Sequence, residues 1–286
     1  MAYRIITDTC CDLWQDFYKE LDVDVIPLSV NSKGQEITSY TEQWLKDFYD
    51  GLRAGEAAQT SAVNPEGWKA VIEPVLAAGE DALVLAFSSG LSTTYQSAVI
   101  AAQELMETYP SRSVKVVDSL CASMGQGLLL YYACKQRDSG LSLEDLASWC
   151  EINKMNLCHW FTVNDLMYLK RGGRVSAATA LVGTMLQIKP VMHVDNDGHL
   201  VKVSTARGRR ASLDALAKKL GETGLSGRND TVFISHGDCK DDAQYLADKL
   251  KAEYGVKEVI MYYVGAVIGS HSGPGTVALF FMGNQR

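Results

Sequence analysis

A chain of 286 residues, 47% hydrophobic and 21% charged, is more than one small core needs and suits two α/β units. Its net charge of −7 works against general attraction to nucleic acid or anionic lipid surfaces, and no apolar run reaches the length of a membrane span. Seven cysteines, at 10, 11, 121, 134, 150, 158 and 239, make no C-x-x-C pair and no metal-ligand spacing with histidine. With an N-terminus that starts a strand at once and lacks a signal-peptide layout, this predicts a reducing, cytoplasmic location, with no metal and no cofactor.

Tyr3 to Thr7 reads as an apolar strand, and Asp8 to Asp12 as a polar turn able to cap a helix from Leu13 to Glu20. Cys10 and Cys11 are either a redox pair or two small buried apolar residues. Val23 to Val30 is expected as one strand, followed by a turn at Asn31 to Gly34 into Gln35 to Ile37. Trp44, Leu45, Phe48, Tyr49 and Leu52 fall at helical spacing between Thr41 and Arg53, so their aromatic rings are expected in the core. Thr60 and Ser61 end an extended piece, and Asn64 followed by Pro65 opens a helix to about Ala77.

Asp81 to Phe87 is short and β-friendly, while Ala98 to Leu105 is rich in helix formers. Between them Ser88, Ser89, Gly90, Leu91, Ser92, Thr93 and Thr94 form a strand–turn–helix junction crowded with hydroxyls. Such a junction exposes backbone N–H groups at the positive end of a helix dipole and favours an anion. No Lys or Arg stands within it, which favours a single carboxylate over a polyphosphate. The alternative is that Ser92 or Thr93 caps its own helix.

Val114 to Val117 is a strand ending at Asp118 and Ser119, with helices expected at Ala122 to Gln136 and Leu143 to Asn156. This alternation predicts a mostly parallel sheet with helices on its faces. Leu157 to Val163 is a strand, and Leu166 to Lys170 a short helix before the basic turn Arg171 to Ser176 and a helical Ala177 to Leu186. Ile188 to Val194 and Leu200 to Thr205 flank Asn196-Asp197-Gly198, a hairpin signal. Helix, strand, helix and strand follow at Ala211 to Leu220, Thr231 to Ser235, Asp241 to Tyr254 and Val259 to Val264. The second half thus reads as a mixed-sheet domain. The boundary is placed within Met155 to Asn164, giving units of residues 1–158 and 159–286. In the tail, glycines and a proline are expected to hold a tight turn around His271, before a strand from Val277 to Phe281. A single His there is either structural or chemical, and it is the best histidine candidate of the five.

Charge is uneven along the chain. From Lys170 to Arg210 eight basic residues face Asp195 and Asp197, a balance of +6 that leaves −13 for the rest. This island is either a docking surface or a solvated face. Chemistry by Ser92 with His271 would make a serine-dependent lipid or ester hydrolase, but no G-x-S-x-G elbow occurs: Gly269 to Gly273 carries His where that motif needs Ser. A nucleotide-binding kinase is disfavoured by the lack of a G-x-x-x-x-G-K-[ST] loop.

Four pieces stand in order: Thr60-Ser61, Ser88 to Ala98, Leu169 to Val175 and Ile268 to Thr276. With Thr7-Asp8, Asp118-Ser119 and Ile188-Lys189-Pro190, they resemble the DegV family over essentially the whole chain. The resemblance implies two α/β domains that bury one long-chain fatty acid between them. It also implies a non-catalytic role as binding subunit of a bacterial fatty acid kinase. That subunit presents the carboxyl group to a separate ATP-using kinase subunit, which forms an acyl phosphate for phospholipid synthesis. On that pattern Thr60 or Ser61, Ser92 or Thr93, and His271 surround the carboxyl group. Arg171, Arg174, Arg207 and Arg209 are the candidates for docking the kinase, the alternative being that they only bind phosphate or pair with local acids. Thr93 stands where Gly is more usual, and Ala62 to Pro65 matches the family pattern more loosely.

Overall fold

The computed structural model describes residues 2–176, 187–284 and 286. The expected helix from Ala177 to Leu186 lies outside the described residues. Four parallel strands form the first sheet: β1 (Tyr3–Asp8), β2 (Asp24–Ile26), β6 (Asp81–Ala86) and β7 (Val114–Asp118), in the order β2-β1-β6-β7. Every residue of β6 is buried, as expected of a strand covered on both faces. The second sheet has six strands: β8 (Leu157–Thr162), β9 (Ile188–Val194), β10 (Leu200–Arg207), β11 (Thr231–His236), β12 (Glu258–Tyr263) and β13 (Val277–Met282). Their order is β10-β9-β8-β13-β11-β12, antiparallel except between β11 and β12. The mixed α/β class with one parallel and one mixed sheet is therefore as the sequence predicts.

A third sheet was not expected. Val23 to Val30 does not form one strand: β2 ends at Ile26, and β3 (Ser29–Ser32) pairs instead with β4 (Gln35–Ile37) and β5 (Ala58–Ser61). Pro27 explains the break, because it offers no N–H to a sheet ladder and fixes its own φ. The Leu28 N–H beyond it donates to Thr9 Oγ1 at 3.0 Å, which fixes the new direction of the chain.

The helix Met124–Asp138 packs between the two large sheets. Its Leu128, Leu129 and Leu130 share a core with Leu83 and Leu85 of β6 and with Phe161, Phe233 and Phe280 of the mixed sheet. The helices Pro65–Ala77 and Thr94–Thr108 cover the other face of the parallel sheet through Trp68, Ile72, Ala98 and Ala101. The helices Arg209–Thr223 and Lys240–Tyr254 cover the outer face of the mixed sheet. The predicted start at Asn64-Pro65 is present, the Asn64 side chain accepting the Gly67 N–H with Pro65 at the first helical position, and Ser142 likewise caps its helix by accepting the Asp145 N–H.

The tail differs from expectation. Residues Ala266–Ser272 form a helix of two turns, with His271 in its last turn, and only Gly273 and Gly275 adopt left-handed backbone. Long-range bonds hold that short helix in place. The fully buried Tyr49 donates to Val264 O at 2.7 Å, and Tyr40 Oη accepts the Ala266 N–H at 3.0 Å. Cys10 and Cys11 are both fully buried, and burial pushes both thiols well above their ordinary range, the signature of packing rather than reactivity. No helix among the described residues is long and apolar enough to cross a membrane.

Candidate functional site

The parallel sheet changes winding direction between β1 and β6, the place where ligands bind in open α/β sheets. A cavity of about 500 Å³ lies there, outside the carboxyl ends of these strands and against the inner face of the mixed sheet. Leu28, Phe87, Leu91, Phe161, Ile268 and Phe280 supply apolar wall. Thr60, Ser61, Ser92, Thr93 and His271 all border this one cavity. Residues dispersed over more than two hundred positions are thus brought together.

Each is placed by identifiable local structure. Thr60 and Ser61 are the end of β5, paired with Val30 and Ser29 of β3. The junction after β6 is held by two carboxylates at the ends of neighbouring strands. Asp8 accepts the N–H groups of Cys10 (2.9 Å) and Phe87 (2.8 Å), and Asp118 accepts that of Ser89 at 3.1 Å. The Asp8 and Asp118 positions noted in the sequence are therefore supports of the loop. From below, the fully buried Trp68 donates its indole N–H to Thr94 O at 3.0 Å.

Ser92 Oγ meets Thr94 Oγ1 at 2.9 Å and accepts the Thr94 N–H at 3.3 Å, so it does contribute to opening its own helix while bordering the cavity. Thr93 is the helix N-cap residue, but its side chain makes no capping bond and is exposed. His271 Nε2 bonds Thr60 Oγ1 at 2.9 Å. Its Nδ1 lies against Gly172, where any Cβ would overlap the imidazole ring, so glycine is what allows this approach. Burial pushes the pKa of His271 down to about 4, with the positive charge of Arg174 acting in the same direction. The imidazole is neutral at pH 7.

Arg174 is the border residue that sequence reasoning assigned elsewhere. Its guanidinium is half-buried at the cavity and donates to Leu91 O through Nε (3.2 Å) and Nη2 (2.9 Å), and to Gly172 O through Nη1. Burial lowers its pKa from the usual value. It remains a cation all the same, because guanidinium is not deprotonated in proteins. Arg171 is exposed and stacks over the Tyr168 ring at 4.5 Å, and Arg207 is exposed on β10. Arg209 pairs with Asp242 at 2.8 Å.

A second close approach locks the junction to the mixed sheet. A Cβ on Gly90 would come within 2.8 Å of the carbonyl oxygens of Asp197 and Gly198, in the β9–β10 turn. Ser88 Oγ donates to Gly198 O at 3.1 Å. The apolar lining was not legible in advance. Period-two alternation marks Phe161 and Phe280 as sharing a face with their neighbours, but not that the face borders a void.

A carboxylate needs several donors when it leaves water, and an apolar tail needs a dry channel. Neutral hydroxyls, one neutral imidazole and one guanidinium at one part of an apolar cavity meet both needs. The arrangement does not form a serine–histidine pair: Ser92 Oγ is committed to Thr94, and His271 Nε2 to Thr60.

Comparison with known proteins agrees with this geometry. A family model described as "Uncharacterised protein, DegV family" matches residues 2–284. A DegV domain-containing protein of Clostridium perfringens is 42% identical over 286 residues, covering 99% of this chain and 98% of that protein. A Thermus thermophilus structure, described as fatty acid binding of a DegV family protein, superposes with a TM-score of 0.88 at 32% identity. The alignment covers 99% of this chain and 100% of that one. A Thermotoga maritima structure, described as a DegV lipid binding protein, gives a TM-score of 0.87 at 30% identity and covers 100% of both chains. Matches this complete, at these identities, leave one assignment: the chain belongs to the DegV family.

Proposed function

We propose that this protein is a non-catalytic carrier of one long-chain fatty acid, held between a unit of residues 1–158 and one of residues 159–286. The carboxyl group lies among Thr60, Ser61, Ser92, Thr93 and His271, with Arg174 supplying positive charge, and the acyl chain fills the apolar remainder. A separate ATP-using kinase subunit then converts the presented carboxyl group to an acyl phosphate for phospholipid synthesis, docking on the exposed part of the basic island, chiefly Arg171 and Arg207. Arg174 and Arg209 complete that island from partly buried positions.

The observation that carries this proposal is the gathering of Thr60, Ser61, Ser92, Thr93 and His271 on a single, mainly apolar cavity of about 500 Å³. Affinity comes mostly from the chain, at about 0.8 kcal/mol per buried methylene. The related structures from Thermus thermophilus and Thermotoga maritima support it by their stated fatty acid and lipid binding.

Native mass spectrometry of the purified protein, followed by lipid extraction, tests the carrier role. One equivalent of a long-chain fatty acid is expected. A protein that arrives empty and takes up no added fatty acid refutes it. For the kinase step, Ser92→Ala and His271→Ala are expected to weaken retention or block phosphorylation. Arg171→Glu is expected to keep the lipid and slow acyl-phosphate formation by the kinase subunit with ATP. Unchanged turnover by all three variants removes these roles.

A further inference from the structure

Behind the wall formed by Leu28 and Val267 lies a second cavity, of about 490 Å³; those two residues border both spaces. Trp14, Tyr18, Tyr40 and Tyr263 contribute aromatic surface to it, and Asp12 a buried carboxyl group. The other charged residues at its border are already paired: Lys19 with Asp16 at 2.9 Å, and Asp24 with Arg4 at 3.0 Å. Asp12 is held by neutral donors. The Ser123 hydroxyl donates to it at 2.5 Å, and the Gly265 N–H also bonds it. Ser123 in turn meets Ser235 Oγ at 2.9 Å. Among the described residues no Lys, Arg or His forms an ion pair with Asp12.

The backbone supports this placement at a cost. Asp12 is left-handed at φ 51°, ψ 35°, and Ser123 stands at φ 54°, ψ −147°. A side-chain-bearing residue in the latter region is strained and persists only where its surroundings impose it. The carboxyl is thus positioned by a network, with burial raising its pKa to about 7 and the negative charge of Asp8 acting in the same direction.

The chemistry that complements one buried carboxyl within aromatic walls is narrow. A divalent cation asks for several oxygen ligands, whereas of the two carboxylates at this cavity Asp24 is taken by Arg4 and only Asp12 is left. A neutral hydrophobe fills the space but brings no positive charge to the carboxyl group, which has only neutral donors. An organic cation satisfies both, through charge on the carboxylate and through attraction to ring faces. From this geometry we infer that the second cavity binds a small organic ammonium compound, its nitrogen on Asp12 and its apolar body against Trp14, Tyr18 and Tyr40. This site is separate from the fatty acid cavity, and its existence does not rest on the carrier role.

Calorimetric titration of the full-length protein with phenethylammonium chloride, and with 2-phenylethanol as the uncharged isostere, tests it. Expected is one saturable site, with the ammonium compound bound about tenfold or more tighter than the alcohol. Asp12→Asn, which keeps the shape and tolerates left-handed backbone, is expected to abolish that preference. Trp14→Leu is expected to weaken ammonium binding several-fold. It carries the test if Asp12→Asn does not fold. Prior loading with a long-chain fatty acid should leave the site available. Equal affinity for the two probes, a preference that survives Asp12→Asn, competition by the fatty acid for the same site, or no saturation up to about 10 mM overturns the inference.

Discussion

The cavity bordered by Ser92 and His271 has two polar walls that are built by different means. On one wall Ser92 is oriented by Thr94, two residues away, and the loop carrying it sits on the end of β6. On the other, His271 is held by Thr60, 211 residues distant, and Arg174 by Leu91, 83 residues distant. A near neighbour orients the Ser92 hydroxyl, although Asp8 and Gly198 brace its loop from afar, whereas His271 and Arg174 are oriented by distant residues. The lesson is that damage to the packing should disable the second wall entirely, whereas loss of a single hydroxyl should only thin the first.

The largest effect is expected from Gly172→Val, which drives bulk into the space of the His271 ring. Overpacking of this kind costs about 1–3 kcal/mol and displaces the imidazole, so fatty acid affinity measured by fluorescent-probe displacement should fall about tenfold or more. His271→Ala alone should cost about 1.5–3 kcal/mol of ligand binding if its bond to the carboxylate is charge-assisted, and Ser92→Ala less. A double-mutant cycle then separates the walls. His271→Ala with Thr60→Val should be non-additive by about 0.5–3 kcal/mol, because the two residues share a bond, while His271→Ala with Ser92→Ala should come closer to additivity. Full additivity of the first pair would remove the coupling.

The pH dependence sharpens the same contrast, because the His271 side chain of the second wall titrates and the Ser92 hydroxyl of the first does not. With its folded pKa pushed down to about 4, His271 adds nothing unfavourable while neutral above about 6.5, the ordinary histidine value. Stability is lost as pH falls from there toward 4, since the unfolded chain takes up the proton first. Its imidazole resonances should therefore stay neutral-like to near pH 4. Asp8 and Asp12, raised by burial to about 6 and about 7, act with the opposite sign: their cost appears as pH rises from about 4 through those values. The smallest effect belongs to Thr93→Gly. The Thr93 side chain is exposed and makes no capping bond, so its removal should change stability by less than about 0.5 kcal/mol by thermal denaturation.

The same division governs what could be read from the residues alone. Serines and threonines crowded between an apolar run and an alanine-rich run identify the first wall, because strand, turn and helix start are all local signals. Thr60-Ser61 was legible as the end of an extended piece for the same reason. The helix around His271 was not, since its glycines and proline suggest a turn, and bonds from Tyr40 and Tyr49 more than two hundred residues earlier help set its position. The inward turn of Arg174 was equally hidden, for a basic residue beside two glycines looks like a solvated one until the carbonyl of Leu91 is known to face it. Pro27 alone could have announced the break between β2 and β3, but not the third sheet that receives the chain.

The place of β13 has a consequence for when the cavity can first close. This strand lies between β8 and β11, and its Ala278 and Phe280 border the cavity that Thr60 and His271 also line. During synthesis, β8 and β11 are made long before the strand that joins them, so they wait as unpaired edges while the parallel sheet is already able to assemble. Until β13 pairs, the wall that Ala278 and Phe280 supply is missing, so the cavity closes only when the mixed sheet does.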